Sequence, residues 1–256
     1  MSRSCVVVGS GRAGGSFHAA LSEVGWRSVL VARAGDVQVD GDPDLVLLAV
    51  PDSVIAAVAH ALPATDAVVA HVSGACGLDV LAPHRRVGSI HPLMSLPDAL
   101  VGGRRLLDAC TFAVDGDPLM AEVVGDLGGR AIQVPAASRA LYHATASIAA
   151  NHLTALCAQV ESLAAEVGVP VDAYWTLMRT TLDNIVDVGP AAALTGPAAR
   201  ADWDTVRAHL DALPTDDDRR LYSVLCERAA RLAGHEVPGD VTGRVDPVPP
   251  TGAVPE

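Results

Sequence analysis

"CVVVGSGRAGGSFHAALSEVGWRSVLVARAG", residues 5–35, reads as a strand, a glycine turn, a helix and a second strand. Cys5–Val8 is a short aliphatic run that reads as a strand. The turn Gly9-Ser10-Gly11-Arg12-Ala13-Gly14 follows at once. Phe17, Ala20, Leu21 and Val24 then recur at i, i+3, i+4 and i+7, the spacing of one helix face, and Gly25 stops that helix. Ser28–Ala32 reads as a second strand. Working outward, aliphatic strands are expected at Leu45–Val50, Ala67–Val72, Val87–Ile90, Cys110–Val114 and Ala131–Val134. Helical stretches such as Ser53–Leu62 and Leu119–Leu127 separate several of them, which implies an α/β fold with a doubly wound parallel sheet of Rossmann type. Only about a dozen residues join the second and third strands, so a turn of helix at most is expected there. After Pro135 the pattern becomes all helical: Ser138–Val167 as one long helix, then Val171–Val186, Pro197–Leu213, and Asp216–Gly234 with Asp216 as N-cap. The expected organisation is a dinucleotide-binding domain over 1–135, a helical domain over 136–234, and a Pro/Gly-rich disordered tail over 235–256.

The glycine turn has the GxGxxG spacing, in the one context that gives it meaning: after a strand and at the opening of a helix. Such a turn lets backbone approach a diphosphate held on helix N-terminal amides. Gly9, Ser10, Gly11, Arg12, Ala13 and Gly14 are therefore candidate cofactor contacts. An NAD site usually carries an acid at the end of the second strand. Here Ala32-Arg33 stands there, and Arg33 can pair with a 2′-phosphate, with Arg12 assisting. NADP(H) is favoured over NAD(H), although Asp36 lies close enough to serve the other cofactor. "AVPDSVI", residues 49–55, falls at the carboxyl end of the third strand and places Val50, Pro51 and Asp52 on the crevice edge, with Asp52 also a possible helix cap. "HVSGACG", residues 71–77, takes the equivalent place after the fourth strand and offers Ser73 and Gly74.

Composition narrows the function. Half of the residues are hydrophobic but only 3% are aromatic, so the core must be aliphatic. The net charge of −12 is spread along the chain, with no basic footprint for nucleic acid or anionic lipid. The longest uncharged run, Ala140–Val160, is too polar for a membrane span, and no signal peptide is visible at the start. Five cysteines without a CxxC pair read as reduced, mostly buried side chains, which fits a reducing cytoplasm and no metal site. All 18 basic residues are arginine, which excludes Schiff-base chemistry and any lysine general acid.

One stretch of the long helix is chemically unusual. "YHATASIAAN", residues 142–151, carries His143, Ser147 and Asn151 at four-residue steps, which on an α-helix drift only about 40° each and form one slowly turning stripe. Together with GSGRAG, LLAVPDSVI, "SIHPLMSL" (89–96), "LYHATASIAANHLTAL" (141–156) and "ALTGPAARADWDTVRAHLDAL" (193–213), this resembles the bacterial Rossmann-like proteins with a DUF2520 helical domain. That family is similar in architecture to 6-phosphogluconate dehydrogenase, ketopantoate reductase and pyrroline-5-carboxylate reductase. In its first domain it is also similar to F420-dependent NADP oxidoreductases.

The resemblance covers about residues 4–233 and implies a dinucleotide-binding oxidoreductase, dimeric through its helical domain. In the wider superfamily the first helix after the Rossmann domain crosses the nicotinamide mouth and presents a lysine and, four residues on, an asparagine. Asn151 can stand for that asparagine, which puts Ser147 where the lysine would be. His143 and His91 of the HPL loop are then the titratable groups left to donate a proton, with Asn151, Ser147 and Ser73 orienting the substrate. His18 and His152 read as core residues, and His60, His71, His84, His209 and His235 as structural or exposed. Thr195-Gly196-Pro197 opens a helix whose N-terminus, with Arg200 one turn on, could hold a substrate carboxylate.

Three functions fit this reading. The first is an NADPH-dependent reductase of a small carbonyl or imine compound, with a 2-oxo acid as one case. The second is an NADP(H)-binding sensor or assembly protein with little catalysis, which the absent lysine allows. The third is hydride exchange between NADPH and a deazaflavin, which needs no proton donor.

Overall fold

Seven strands and eleven helices are set out in a computed structural model that describes residues 2–33 and 43–242. The strands are β1 Ser4–Val8, β2 Arg27–Val31, β3 Leu45–Leu48, β4 Val68–His71, β5 Val87–Pro92, β6 Thr111–Gly116 and β7 Arg130–Gln133. Between them run the helices α1 Arg12–Glu23, α2 Ile55–Ala61, α3 Ala99–Leu106 and α4 Leu119–Asp126. The sheet order is β2-β1-β3-β4-β5-β6-β7. The central strands β1, β3 and β4 are almost wholly buried on both faces, which is why they read as unbroken aliphatic runs. Phe17 and Leu21 of α1 seal one face of the sheet, and Ile55 and Ala59 of α2 the other.

β6 is antiparallel to β5, and β7 is parallel to β6, so the last two strands run against the first five. The sheet is therefore mostly, not wholly, parallel. α3 lies on α1 through glycines: a Cβ at Gly15 would come within 2.7 Å of Ala99 Cβ, and one at Gly103 within 2.9 Å of Ala19 Cβ. The crossover between β2 and β3 falls in residues 34–42, outside the described residues, as does Asp36.

The expected long helix is built as α5 Arg139–Ser147, a π-helical turn Ile148–His152, and α6 Leu153–Glu166. Gly168, at φ +67°, ends α6. There follow α7 Val171–Val188, α8 Pro190–Ala193, α9 Trp203–Ala212, α10 Asp216–Leu232 and α11 Gly239–Thr242. The chain divides into two compact units at Leu153/Thr154, not at the change of pattern near residue 135. α5 belongs with the sheet because Arg139 and Tyr142 bond into it.

The second unit has a small core of Val206, Leu210, Cys226 and Val241. Val241 and Val237 pack there, so residues 235–242 are ordered structure rather than the start of a disordered tail; residues 243–256 lie outside the described residues. The helix expected over Pro197–Leu213 is instead a three-residue turn, Ala198–Arg200, broken by left-handed Ala201 and restarted at Trp203. Asp202 provides the fresh N-cap, accepting from the Thr205 amide. Thr215, not Asp216, caps α10 by accepting from the Asp218 amide at 3.1 Å. Asp216 pairs with Arg219. No helix among the described residues is long and apolar enough to cross a membrane.

Candidate functional site

The glycine turn leaves β1 at the point where the strand order reverses, since β2 lies on one side of β1 and β3 on the other. Crevices at such switch points bind ligands at the carboxyl ends of the strands. Gly9, at φ +112°, packs so tightly on the β3 exit that a Cβ would sit 2.3 Å from the Ala49 carbonyl oxygen and 3.1 Å from Val50 Cγ1. Gly14 lets α1 fold back on the turn, because a Cβ there would lie 1.8 Å from the Gly9 oxygen. Gly11 is different: a Cβ would meet nothing within 4 Å. It is the N-cap of α1, with no side chain bonded to the first amides and no acid in the first turn. Two of the glycines are thus required by packing, while the third leaves its surroundings open beside uncapped helix amides. The residues present fit a dinucleotide diphosphate.

Ser10, Gly11 and Arg12 are exposed at this turn and Ala13 is half-buried. Arg33, just past β2, is also exposed, and among the described residues neither Arg12 nor Arg33 forms an ion pair. At the β3 exit Val50 is half-buried, and Pro51 and Asp52 are exposed. Asp52 does not cap α2; it opens a short 3-10 turn, and its carboxylate accepts from Ser73 Oγ at 2.8 Å. Ser73 Oγ in turn accepts from the amides of Ala75 and Cys76. The Ser73 hydroxyl thus bridges the 73–77 loop and the β3 exit. His71, fully buried, accepts from the Ser73 amide at Nδ1 and reaches the Gly77 carbonyl through Nε2. Burial holds its pKa below the usual value.

Gly74 is where the two expected histidines meet. A Cβ there would lie 2.6 Å from His143 Nδ1 and 2.9 Å from His91 Nε2. The rings stand 5.7 Å apart, nearly perpendicular. His91 comes from β5 and His143 from α5. His143 Nδ1 is buried without a hydrogen-bond partner. His91 Nδ1 lies 2.7 Å from the Tyr142 hydroxyl, with the rings edge-on at 5.5 Å. Burial first, then the cationic forms of His143 and Arg139, push the His91 pKa down to about 4, so it is neutral at physiological pH. Burial raises the pKa of the Tyr142 hydroxyl, which keeps its proton.

Arg139 fixes this arrangement. It is 6% exposed, and its guanidinium donates to the Cys76 carbonyl at 2.6 Å and to Ser89 Oγ at 2.5 Å, with Asp115 Oδ2 at 3.6 Å. One side chain thus ties α5 to the 73–77 loop and to β5, two residues from His91. Arg139 and Tyr142 were not singled out from sequence. The signal was available: 139, 142 and 143 are i, i+3 and i+4, one face of a helix.

The stripe expected from His143 through Ser147 to Asn151 does not continue. Ser147 is half-buried, and Asn151 is exposed within the π-helical turn. The wider i→i+5 turn rotates Asn151 away from the line that four-residue steps would follow. Thr195 and Arg200, both exposed, belong to the second unit. Arg200 ends the three-residue turn, too short to align the amides of a full helix N-terminus. Thr195 borders a mostly apolar cavity of about 210 Å³, lined also by Leu156, Gln159, Tyr222, Leu225 and Cys226.

The strand order, the glycine turn and the crevice at the switch point define a Rossmann-like fold. A Rossmann-like domain model matches residues 31–97 and a DUF2520 model, a domain of unknown function, matches residues 110–229. The chain thus carries one region similar to each model. No curated protein matches it in sequence. Among solved structures, a candidate NADP oxidoreductase from Bacteroides fragilis is 18% identical, with a TM-score of 0.75 over 90% of this chain and 98% of that one. A protein from Thermotoga maritima is 23% identical, with a TM-score of 0.68 over the same shares. Pyrroline carboxylate reductase from Plasmodium falciparum, with NADP bound, is 8% identical at a TM-score of 0.59, again over 90% and 98%. These likenesses establish a shared fold.

Proposed function

We propose that this protein is an NADP(H)-dependent reductase of a small carbonyl or imine compound, a 2-oxo acid being one candidate. The observation that carries the reading is the meeting of His91, Tyr142 and His143 at Gly74, on the carboxyl edge of the sheet whose glycine turn suits a diphosphate. The reduced nicotinamide, when bound, supplies a hydride. What this chain adds is a neutral N–H donor, His91, for the charge that develops on the substrate oxygen or nitrogen. Arg12 and Arg33, exposed and unpaired among the described residues, support a 2′-phosphate and hence NADP(H) over NAD(H). The relatives described as NADP oxidoreductase and as pyrroline carboxylate reductase with NADP support the same class. A site built around protic side chains weighs against deazaflavin exchange and against a passive sensor, neither of which uses a proton donor.

We also propose that the chain works as a homodimer through its helical domain. α7 has 18 residues and buries none of them; Leu177 is 61% exposed, Val186 84% and Val188 59%. Exposed aliphatic side chains of this number on one helix mark an interaction surface. Five free thiols suit a reducing cytoplasm. The test of the reductase reading is calorimetry with NADPH and NADH, followed by NADPH oxidation across 2-oxo acids, aldehydes, cyclic imines and a deazaflavin. Tight binding with turnover of a carbonyl or imine is expected. Absence of heat with both nucleotides, or oxidation by the deazaflavin alone, refutes it.

A further inference from the structure

His91 can act as a donor through Nε2 only if its single proton sits there. At neutral pH the ring has one proton to place, because burial above all holds it uncharged. Its Nδ1 faces the Tyr142 hydroxyl at 2.7 Å. Tyr142 keeps its own proton, and no other acceptor for that hydroxyl is found among the described residues. When Tyr142 donates to Nδ1, the histidine proton must occupy Nε2, the atom that faces Gly74. The reverse bond would leave a bare lone pair at Nε2 and no donor at all. The partners are also held in place independently of each other. Arg139, one turn before Tyr142, is bonded to Ser89, two residues before His91 on the same strand.

We propose that Tyr142 is a positioning residue that fixes the Nε2–H tautomer of His91, and that the pair forms a two-step proton relay suited to a carbonyl substrate. This rests on His91 being the donor in the reductase reading. As the carbonyl carbon gains a hydride from the reduced nicotinamide, its oxygen takes up the bonding pair and becomes an alkoxide. The Nε2–H bond breaks and an O–H bond forms on the substrate. At the same time the Tyr142 O–H bond breaks and an Nδ1–H bond forms. Histidine ends neutral in its other tautomer; the starting state returns when Nε2 takes a proton from water, releasing hydroxide to solvent, and Nδ1 gives its proton back to the phenolate. An alkoxide is far more basic than a phenolate, so the transfer runs downhill. An iminium ion is protonated before reduction and has no use for the relay, so the geometry favours a ketone or aldehyde over an imine.

The test is Tyr142→Phe, which keeps the ring and removes only the hydroxyl. Nitrogen-15 spectra of histidine-labelled protein, with His91 assigned through His91→Asn, read the tautomer directly and need neither cofactor nor substrate. Wild type should show a protonated Nε2 and a bare Nδ1, and Y142F a mixture of both tautomers. Turnover of a carbonyl substrate by Y142F should fall about 100-fold in kcat with little change in KM. A proton on Nδ1 in the wild type, or an unchanged tautomer in Y142F, overturns the role of Tyr142 whatever the activity. If instead the tautomer changes as expected and no carbonyl is ever reduced, the positioning holds and the relay and the reductase reading fall together.

Discussion

Gly74→Ala is the sharpest probe of the site, because it alters no group that carries chemistry. Gly74 is buried between two rings, and an added methyl would lie 2.6 Å from His143 Nδ1 and 2.9 Å from His91 Cε1 and Nε2. Ordinary contact begins at 3.4 Å, so the His143 ring must retreat by about 0.8 Å and the His91 ring by about 0.5 Å. The backbone is not strained by the change, since Gly74 is not among the glycines with positive φ. Crowding of this size costs about 1–3 kcal/mol of stability, enough to lower the melting temperature without unfolding the domain. The effect on function should be comparable: a misplacement of about 1 Å costs about 100-fold in rate, so a donor displaced by about half that loses about 10-fold. The assay is kcat/KM for the best substrate of the NADPH panel, with the nucleotide Kd measured in parallel. A fall in kcat of about one order with an unchanged Kd is expected. Wild-type turnover in G74A would show that the histidine pair is not where the reaction occurs.

The glycines of the turn should separate by role. Gly11→Ala has open space and should leave the melting temperature nearly unchanged while weakening NADPH binding about tenfold or more. Gly14→Ala collides with backbone and should cost over about 3 kcal/mol, seen as loss of cooperative unfolding; equal effects of the two would contradict the assigned roles. Acid should destabilise the fold through His91. Its folded pKa of about 4 lies below the roughly 6.5 of an unfolded chain, so the unfolded state takes the proton first as pH drops. Stability is complete above pH 6.5 and declines toward pH 4, by about 2–3 kcal/mol in all, with buried His71 acting in the same direction. Urea midpoints at pH 7 and 5 should differ less in His91→Asn than in wild type, and identical differences would refute the buried-histidine account. Finally, Leu177→Glu with Val186→Glu should convert a dimer into a monomer in sedimentation velocity; a monomeric wild type would remove the dimer proposal.

Local pattern was enough to place the strand, turn and helix of residues 5–35, because period and glycine spacing are consequences of backbone geometry that each short segment carries by itself. The same holds for the aliphatic strands and for the change to helices after Pro135, whereas His91 and His143 follow from the family resemblance. Tertiary structure decided what those local signals leave open. β6 pairs antiparallel with β5, and α3 lies on α1 through glycines, both contacts that no local pattern displays. Residues 235–242 are ordered because Val237 and Val241 find a core that composition alone does not display. Ser73 donates a hydrogen bond to Asp52, 21 residues away, and Asn151 leaves the stripe because it lies within the widened turn of the helix. Tyr142 joins the site only through His91, 51 residues earlier. Hydrogen bonds and packing between remote segments depend on where the whole chain folds, and the identity of either residue alone does not specify its partner.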